Sequence, residues 1–188
     1  MSNINYKING RSLSTIREDH ILEIKDWRNA QIRVLRQTKL LTDDDQFAWF
    51  QSIQNSKDQI LFSILESRDS KDLAFIGYCG ITNIDRVNNR GEISFLVNPA
   101  RVADKFLYRE DFLSVLYLLS LFGFEKVGFH KLFTETYAFR NFHIGILEEF
   151  GFKCTGRLRD HVFIEGEYCD SMMHSMVESE WPEIKKRS

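Results

Sequence analysis

The run GEISFLV, residues 91–97, sets a carboxylate into an alternating pattern. Glu92, Ser94 and Leu96 share one face of such a strand, and Ile93, Phe95 and Val97 share the other. A carboxylate on a partly buried strand is suited to accept a proton from a reacting group, directly or through water. A solvated strand-end Glu92 paired with Arg90 is the competing reading. Arg28 and Asn29 close the run WRN, where a guanidinium suits a diphosphate. They fit equally well as a cation and cap at a helix C-terminus. Trp27, Trp49 and Phe50 can stack on a ring or fill a core. His161 is a polar residue of the last third of the chain, with no role fixed by its surroundings in sequence. The five histidines show no metal-ligand spacing, and Asp43, Asp44 and Asp45 suit a helix start. No metal is expected.

The chain has 188 residues, with 43% apolar and 28% charged, which is ordinary usage for one globular domain spanning 1–188. A formal net charge of -2 gives no electrostatic case for nucleic acid or an anionic membrane surface. The sixteen phenylalanines point to a large aromatic core. Cys79, Cys154 and Cys169 form no CxxC pair and fit buried thiols in a reducing compartment. The N-terminal residues lack an apolar signal region, and the apolar stretch around 112–124 is too short to span a bilayer. A cytoplasmic protein is expected.

These residues need elements to position them. Periodicity predicts a strand at 11–17, a helix at 18–29 and a helix opening at Thr42, with Asp45 three residues on as a capping box. Strands follow at 60–65, 73–81 and 91–97. A helix apolar nearly all round covers 110–124 and must lie against a sheet. A strand at 131–139 and a short helix at 141–150, stopped by Gly151, precede a hairpin turning at Glu165-Gly166. The order predicts an α/β domain with a mixed sheet and helices on both faces.

The C-terminal run EEFGFKCTGRLRDHVFIEGEYCDSMMHSM, 148–176, resembles the end of the GNAT superfamily of acetyl-CoA-dependent N-acetyltransferases. Within it, the run is similar to the branch holding ribosomal-protein and nucleotide-linked amino-sugar acetyltransferases. The matching residues are Glu148 to Phe152, Gly156 to Asp160, and Tyr168 to Asp170. The early run WRNAQIRVLRQTKLLTDDDQFAWFQSI resembles acetyltransferases of 4-amino-4,6-dideoxy sugars linked to nucleotides. The resemblance implies a mostly antiparallel central sheet splayed in its middle, with acetyl-CoA as co-substrate and a small-molecule primary amine as acceptor. Peptide N-terminal acetylation and a non-catalytic ligand- or partner-binding domain are the alternatives. The oligomeric state stays open, with a homodimer among the options.

The resemblance also implies roles. Glu92 matches a catalytic base, and the backbone of Phe95, Leu96 and Val97 would hold the pantetheine arm. The family cradles the coenzyme pyrophosphate in a glycine-rich loop. Here that region is NPARVADKFLYRED, 98–111, which contains no glycine. Arg101, Lys105 and Arg109 are expected to supply side-chain charge instead, with Asn141 also on the coenzyme. Arg28, Asn29 and His161 would face the acceptor. Leu147 stands where many members carry the tyrosine that protonates the leaving thiolate. His143 and Tyr137 lie nearby, and the choice between them stays open.

Overall fold

A computed structural model describes residues 7–68 and 72–187. Residues 1–6, included in the search for a signal region, lie outside the described residues. Short strands β1 (Lys7–Ile8) and β2 (Arg11–Thr15) lead through a 3-10 turn to α1 (Ile21–Ala30) and then α2 (Asp43–Gln54). Thr42 caps α2: its side chain accepts from Asp45 N–H, and the Asp45 carboxylate accepts from Thr42 N–H. That reciprocal pair is the capping box predicted from spacing alone, and it holds the Asp45 pKa down at about 2.

Next come β3 (Ile60–Arg68), β4 (Asp72–Asp85) and β5 (Arg90–Val97). α3 (Pro99–Ala103) leads into α4 (Lys105–Ser120), which, with a π-helical extension at Leu121–Val127, crosses to β6 (Lys131–Tyr137). α5 (Asn141–Phe150) leads to the hairpin of β7 (Lys153–Ile164) and β8 (Glu167–Val177), and a last helix spans Trp181–Arg187. One eight-stranded sheet orders them β1-β2-β3-β4-β5-β6-β8-β7. Every neighbouring pair is antiparallel except β5 and β6. A parallel pair needs a crossover, and α4 supplies it.

The β5–β6 pairing stops early. It runs from Arg90↔Lys131 to Glu92↔Phe133 and no further. β5 continues along β4 to Val97, and β6 continues along β8 to Tyr137. The sheet therefore forks after Glu92. One face packs on α4 through Phe112, Val115 and Leu119, all at most 1% exposed. Full burial of each such side chain contributes roughly 1.5–3 kcal/mol. The other face carries Tyr78 and Leu96 against Ile21, Ile24 and Trp27 of α1.

The glycine-free segment is a correction to the sequence reading. Residues 98–111 are not a long loop: Pro99–Ala103 form a helical turn, and α4 begins at Lys105. Asn98 accepts from Ala100 N–H, and Asp104 accepts from the N–H groups of Phe106 and Leu107. These caps with a proline at the first turn make the segment helical.

Gly77 on β4 shows how tightly β5 is set. A Cβ there would lie 2.3 Å from Leu96 O and 2.9 Å from Val97 Cα. Gly77→Ala is expected to destabilise the protein by about 1–3 kcal/mol, the usual cost of overpacking. Chemical denaturation checks this, and an unchanged midpoint would show that β5 gives way freely.

The hairpin turn has φ 52° at Glu165 and 92° at Gly166, the two positive values a two-residue type I′ turn requires. Arg157 bonds Asp170 across the strands, and Asp160 N–H donates to Asp170 Oδ1 at 2.8 Å. Arg33 meets Glu165 at 3.1 Å, fastening the hairpin tip to the turn after α1.

Candidate active site

The fork opens into a cavity of about 210 Å³ between β5 and β6. Glu92 lies at its floor and is 2% exposed. Its Oε1 accepts from the Arg36 guanidinium, and its Oε2 accepts from Asn83 Nδ2 at 2.6 Å. Asn83 reaches it from a left-handed backbone conformation, φ 47°, at the register shift of β4. Arg90 pairs instead with Asp85 at 3.3 Å. Glu92 is therefore a buried carboxylate with assigned partners, not a solvated strand end.

β6 brings Glu135 and Tyr137 to the same cavity. Arg36 Nη1 stands 3.6 Å from Glu135 Oε2, and His161 Nε2 stands 3.5 Å from Glu135 Oε1. Tyr137 donates its hydroxyl to Leu35 O at 3.3 Å. Arg28 lines the cavity too, with its guanidinium 5.9 Å from the Trp49 ring centroid. Trp27 is core, stacked on Phe75 at 5.0 Å. An outer cleft of about 670 Å³ runs between residues 32–38 and the hairpin strand β7.

The segment carrying Arg36 is held by Asn29. Asn29 Oδ1 accepts from Leu41 N–H at 2.8 Å and Gln37 Nε2 at 2.9 Å, and Asn29 Nδ2 donates to Leu41 O at 2.9 Å. Both ends of its amide are engaged, so Asn29 positions this loop. The sequence expectation that it faces the acceptor is corrected.

Among the described residues, the edge of β5 beyond Glu92 has no strand partner on the β6 side. Asn98 N–H bonds Ile76 O at 2.9 Å, so strand alternation turns the peptide groups of Leu96 toward β4 and those of Phe95 and Val97 toward the gap. Gln31 Nε2 donates to Val97 O at 2.8 Å. Phe95 and Val97 thus present backbone N–H groups to the fork. Leu96 does not, because its backbone belongs to the β4 ladder.

A second pocket, about 300 Å³, lies beside the fork and shares Arg140 with it. Tyr108, Asn141, Phe142 and His143 line it. Arg140 donates to Tyr108 Oη at 3.0 Å, and Tyr108 Oη lies 2.7 Å from His143 Nδ1. Burial, Arg140 and His174 push the His143 pKa well down, so this ring is neutral and its Nδ1 accepts a hydrogen bond from the Tyr108 hydroxyl. Burial pushes the Tyr108 hydroxyl up. Leu147 is fully buried in the core.

The three cations expected on the coenzyme do not converge. Arg101 is buried, donating to Asp111 Oδ2 at 2.5 Å and Glu66 Oε1 at 2.8 Å. Arg109 pairs with Glu149 and Glu110. Lys105 sits 5.7 Å from the Phe142 ring centroid, at the rim of the second pocket. A joint phosphate clamp of all three is thus corrected: a buried guanidinium held by the buried Asp111 and the half-buried Glu66 does not turn outward.

A family model described as "Acetyltransferase (GNAT) domain" matches residues 13–173. The chain belongs to the GNAT acetyltransferase family. It is accordingly an acyltransferase, an acetyl-CoA-dependent N-acetyltransferase. A curated relative, the SPbeta prophage-derived uncharacterized N-acetyltransferase YokL of Bacillus subtilis (strain 168), is 30% identical over 129 residues, 68% of this chain and 67% of that protein. Solved structures share the fold. Spermidine N-acetyltransferase from Vibrio cholerae, in complex with CoA and spermine, superposes with TM-score 0.81 at 16% identity, covering 93% of this chain and 99% of that one. A dodecameric structure of the Vibrio cholerae enzyme gives 0.75 at 16%, over 93% and 97% of the two chains. The mixed α/β fold with its mostly antiparallel, splayed sheet is the GNAT fold expected from the sequence.

The sequence reading missed Arg36, Gln37, Asn83, Glu135, Tyr108 and Arg140. Alternation in KLFTETY put Glu135 on the face of Phe133 and Tyr137, which was a usable signal for one of them. Nothing periodic marks Arg36 or Asn83. Among the described residues no helix is long and apolar enough to cross a membrane, and no three His, Cys, Asp or Glu side chains are grouped as metal ligands would be.

Proposed function

We propose that the chain, acting as one domain over 1–188, transfers the acetyl group of acetyl-CoA to a primary amine of a small substrate, with Glu92 as the base. The observation that carries this is the buried Glu92 carboxylate at the floor of the fork, beside unpaired backbone N–H groups of β5. The edge of β5 at Phe95 and Val97 suits the pantetheine arm, and Arg140, Lys105 and Asn141 line or flank the adjoining pocket for the phosphates. Backbone N–H groups fixed in a strand need no reorganisation to stabilise a developing oxyanion. The acceptor enters through the outer cleft, past His161 and Tyr137. Glu92 takes the proton that the amine loses as its nitrogen bonds the acyl carbon. The hydroxyls of Tyr137 and Tyr108 are at hand to protonate the departing thiolate.

Two acceptor classes fit different walls. Glu92 and Glu135 favour an alkylamine such as a polyamine, the class named for the Vibrio cholerae structure with spermine. Arg28, unpaired with any carboxylate among the described residues, favours a nucleotide-linked amino sugar. Release of free thiol from acetyl-CoA, measured against spermidine, an amino-sugar nucleotide and a short peptide, tests the reading. Thiol release with none of them, together with no acetyl-CoA binding, would overturn it.

The coenzyme assignment makes its own prediction. Arg140→Ala is expected to raise the acetyl-CoA Kd by about tenfold, the equivalent of 1.4 kcal/mol. Arg109→Ala should leave it within about twofold, because exposed ion pairs contribute little. Calorimetry on both variants checks this. Equal effects would return the phosphate site to the start of α4.

A further inference from the structure

We infer that the Arg36 guanidinium occupies an ammonium subsite built from Glu92, Glu135 and Gln37, and that a cationic amine acceptor binds by displacing it. The inference rests on the acceptor cavity of the proposed function and names the chemistry that cavity selects.

Glu135 Oε1 and Gln37 Oε1 are buried acceptor atoms without a hydrogen-bond partner among the described residues. His161 Nε2 stands 3.5 Å from Glu135 Oε1 without completing a hydrogen bond. A buried acceptor left unmatched is costly, so two of them beside one cavity point to a missing donor. An alkylammonium carries three N–H donors and one positive charge, which matches two orphan acceptors and a carboxylate. Arg28 and Arg140 line the same cavity, but neither bonds Glu92 or Glu135.

Arg36 meets part of this need. It bonds Glu92 and approaches Glu135, while its own side chain stays 49% exposed. Glu92, by contrast, is 3% exposed in its side chain. A half-exposed cation over a buried carboxylate can swing outward into water at little desolvation cost. It sits between the short 3-10 turn at Ile32–Val34 and α2, on the loop whose backbone Asn29 fastens at Leu41 and whose Gln37 side chain Asn29 also holds, while the Arg36 side chain itself extends from it half exposed. The cation of the chain and the cation of the acceptor therefore compete for one carboxylate pair. A site mostly occupied by its own side chain lowers the apparent affinity of any ligand by the fraction of time it is vacant.

Equilibrium binding of n-butylammonium, followed by calorimetry without coenzyme, tests this on the full chain. Arg36→Ala is expected to tighten binding by about tenfold or more, as removal of an internal competitor does. Arg36→Lys, which keeps the cation, should stay within about threefold of the unaltered protein on the same arithmetic. Glu135→Gln added to Arg36→Ala should cancel the gain. If the alanine variant does not fold, Arg36→Gln keeps a donor for Glu92 without the charge and takes its place. Unchanged or weaker binding on loss of Arg36, or no binding in any variant, would overturn the inference. Tighter binding in a protein that transfers no acetyl group would support it while failing the proposed function.

Discussion

Glu92→Gln is expected to lower kcat by about 10²–10⁴-fold, the range that general base catalysis contributes. The substitution keeps size and one acceptor oxygen for Arg36, its new NH2 meets Asn83 only if the Asn83 amide turns its oxygen inward, and an amide cannot accept the amine proton. Its position at the fork separates it from the coenzyme phosphates, whose expected contacts lie in the neighbouring pocket. The acetyl-CoA Kd should therefore stay within about twofold, which a general loss of structure would not allow. The pH–rate profile is the deciding measurement. Loss of the limb that reports a base, with coenzyme binding intact, assigns the proton to Glu92. A rate retained across pH would assign it to water and leave Glu92 as the anchor of Arg36.

Asp111→Ala is expected to cost about 3–5 kcal/mol of stability, the usual effect of breaking a buried ion cluster from one side. Asp111 is fully buried on α4. It accepts from Arg11 Nε at 3.0 Å and from Arg101 Nη2 at 2.8 Å. Arg101 also bonds Glu66, and Arg11 Nη2 lies 3.6 Å from Glu66. Two guanidiniums and two carboxylates thus tie β2, β3 and α4 to the turn Pro99–Ala103. Without Asp111, the buried Arg101 and the half-buried Arg11 share one carboxylate. Glu149→Ala breaks only the exposed pair with Arg109 and should cost about 1 kcal/mol or less. Chemical denaturation of both variants checks the contrast. A loss below about 1 kcal/mol at Asp111 would show that the cluster is spectator to folding.

The same cluster explains why Arg101 does not join Lys105 and Arg109 in a phosphate clamp. In sequence, Arg101, Lys105 and Arg109 are three cations in a short run with no glycine, and their charge is the visible feature. The carboxylate partners of Arg101 and Arg109 lie at Glu66, Glu110, Asp111 and Glu149, and Glu66 and Glu149 are far along the chain. A charge is legible in sequence, but its partner across the fold is not. The loop itself was misread for a local reason. Asn98, Pro99 and Asp104 are helix-start residues, and their spacing was a legible signal of a short helix before α4.

What the sequence determined by itself is the set of features fixed by neighbours along the chain. The Thr42–Asp45 capping box, the stop of α5 at Gly151, the Glu165-Gly166 turn and the alternation of GEISFLV all depend on contacts within a few residues. The motif residues Arg157, Asp160 and Asp170 fasten one hairpin, which is why that run reads as a family signature. Tertiary structure alone decided the site. Arg36, Asn83, Glu92 and Glu135 come from a loop and three strands, and they meet only because β5 and β6 part after Glu92. The separation of those strands follows from the crossover of α4 and from what each strand pairs with on its other side, which no local pattern encodes. Burial then sets the partners of the Glu92 carboxylate, Arg36 and Asn83, since a charge sealed from water must find its partners within reach.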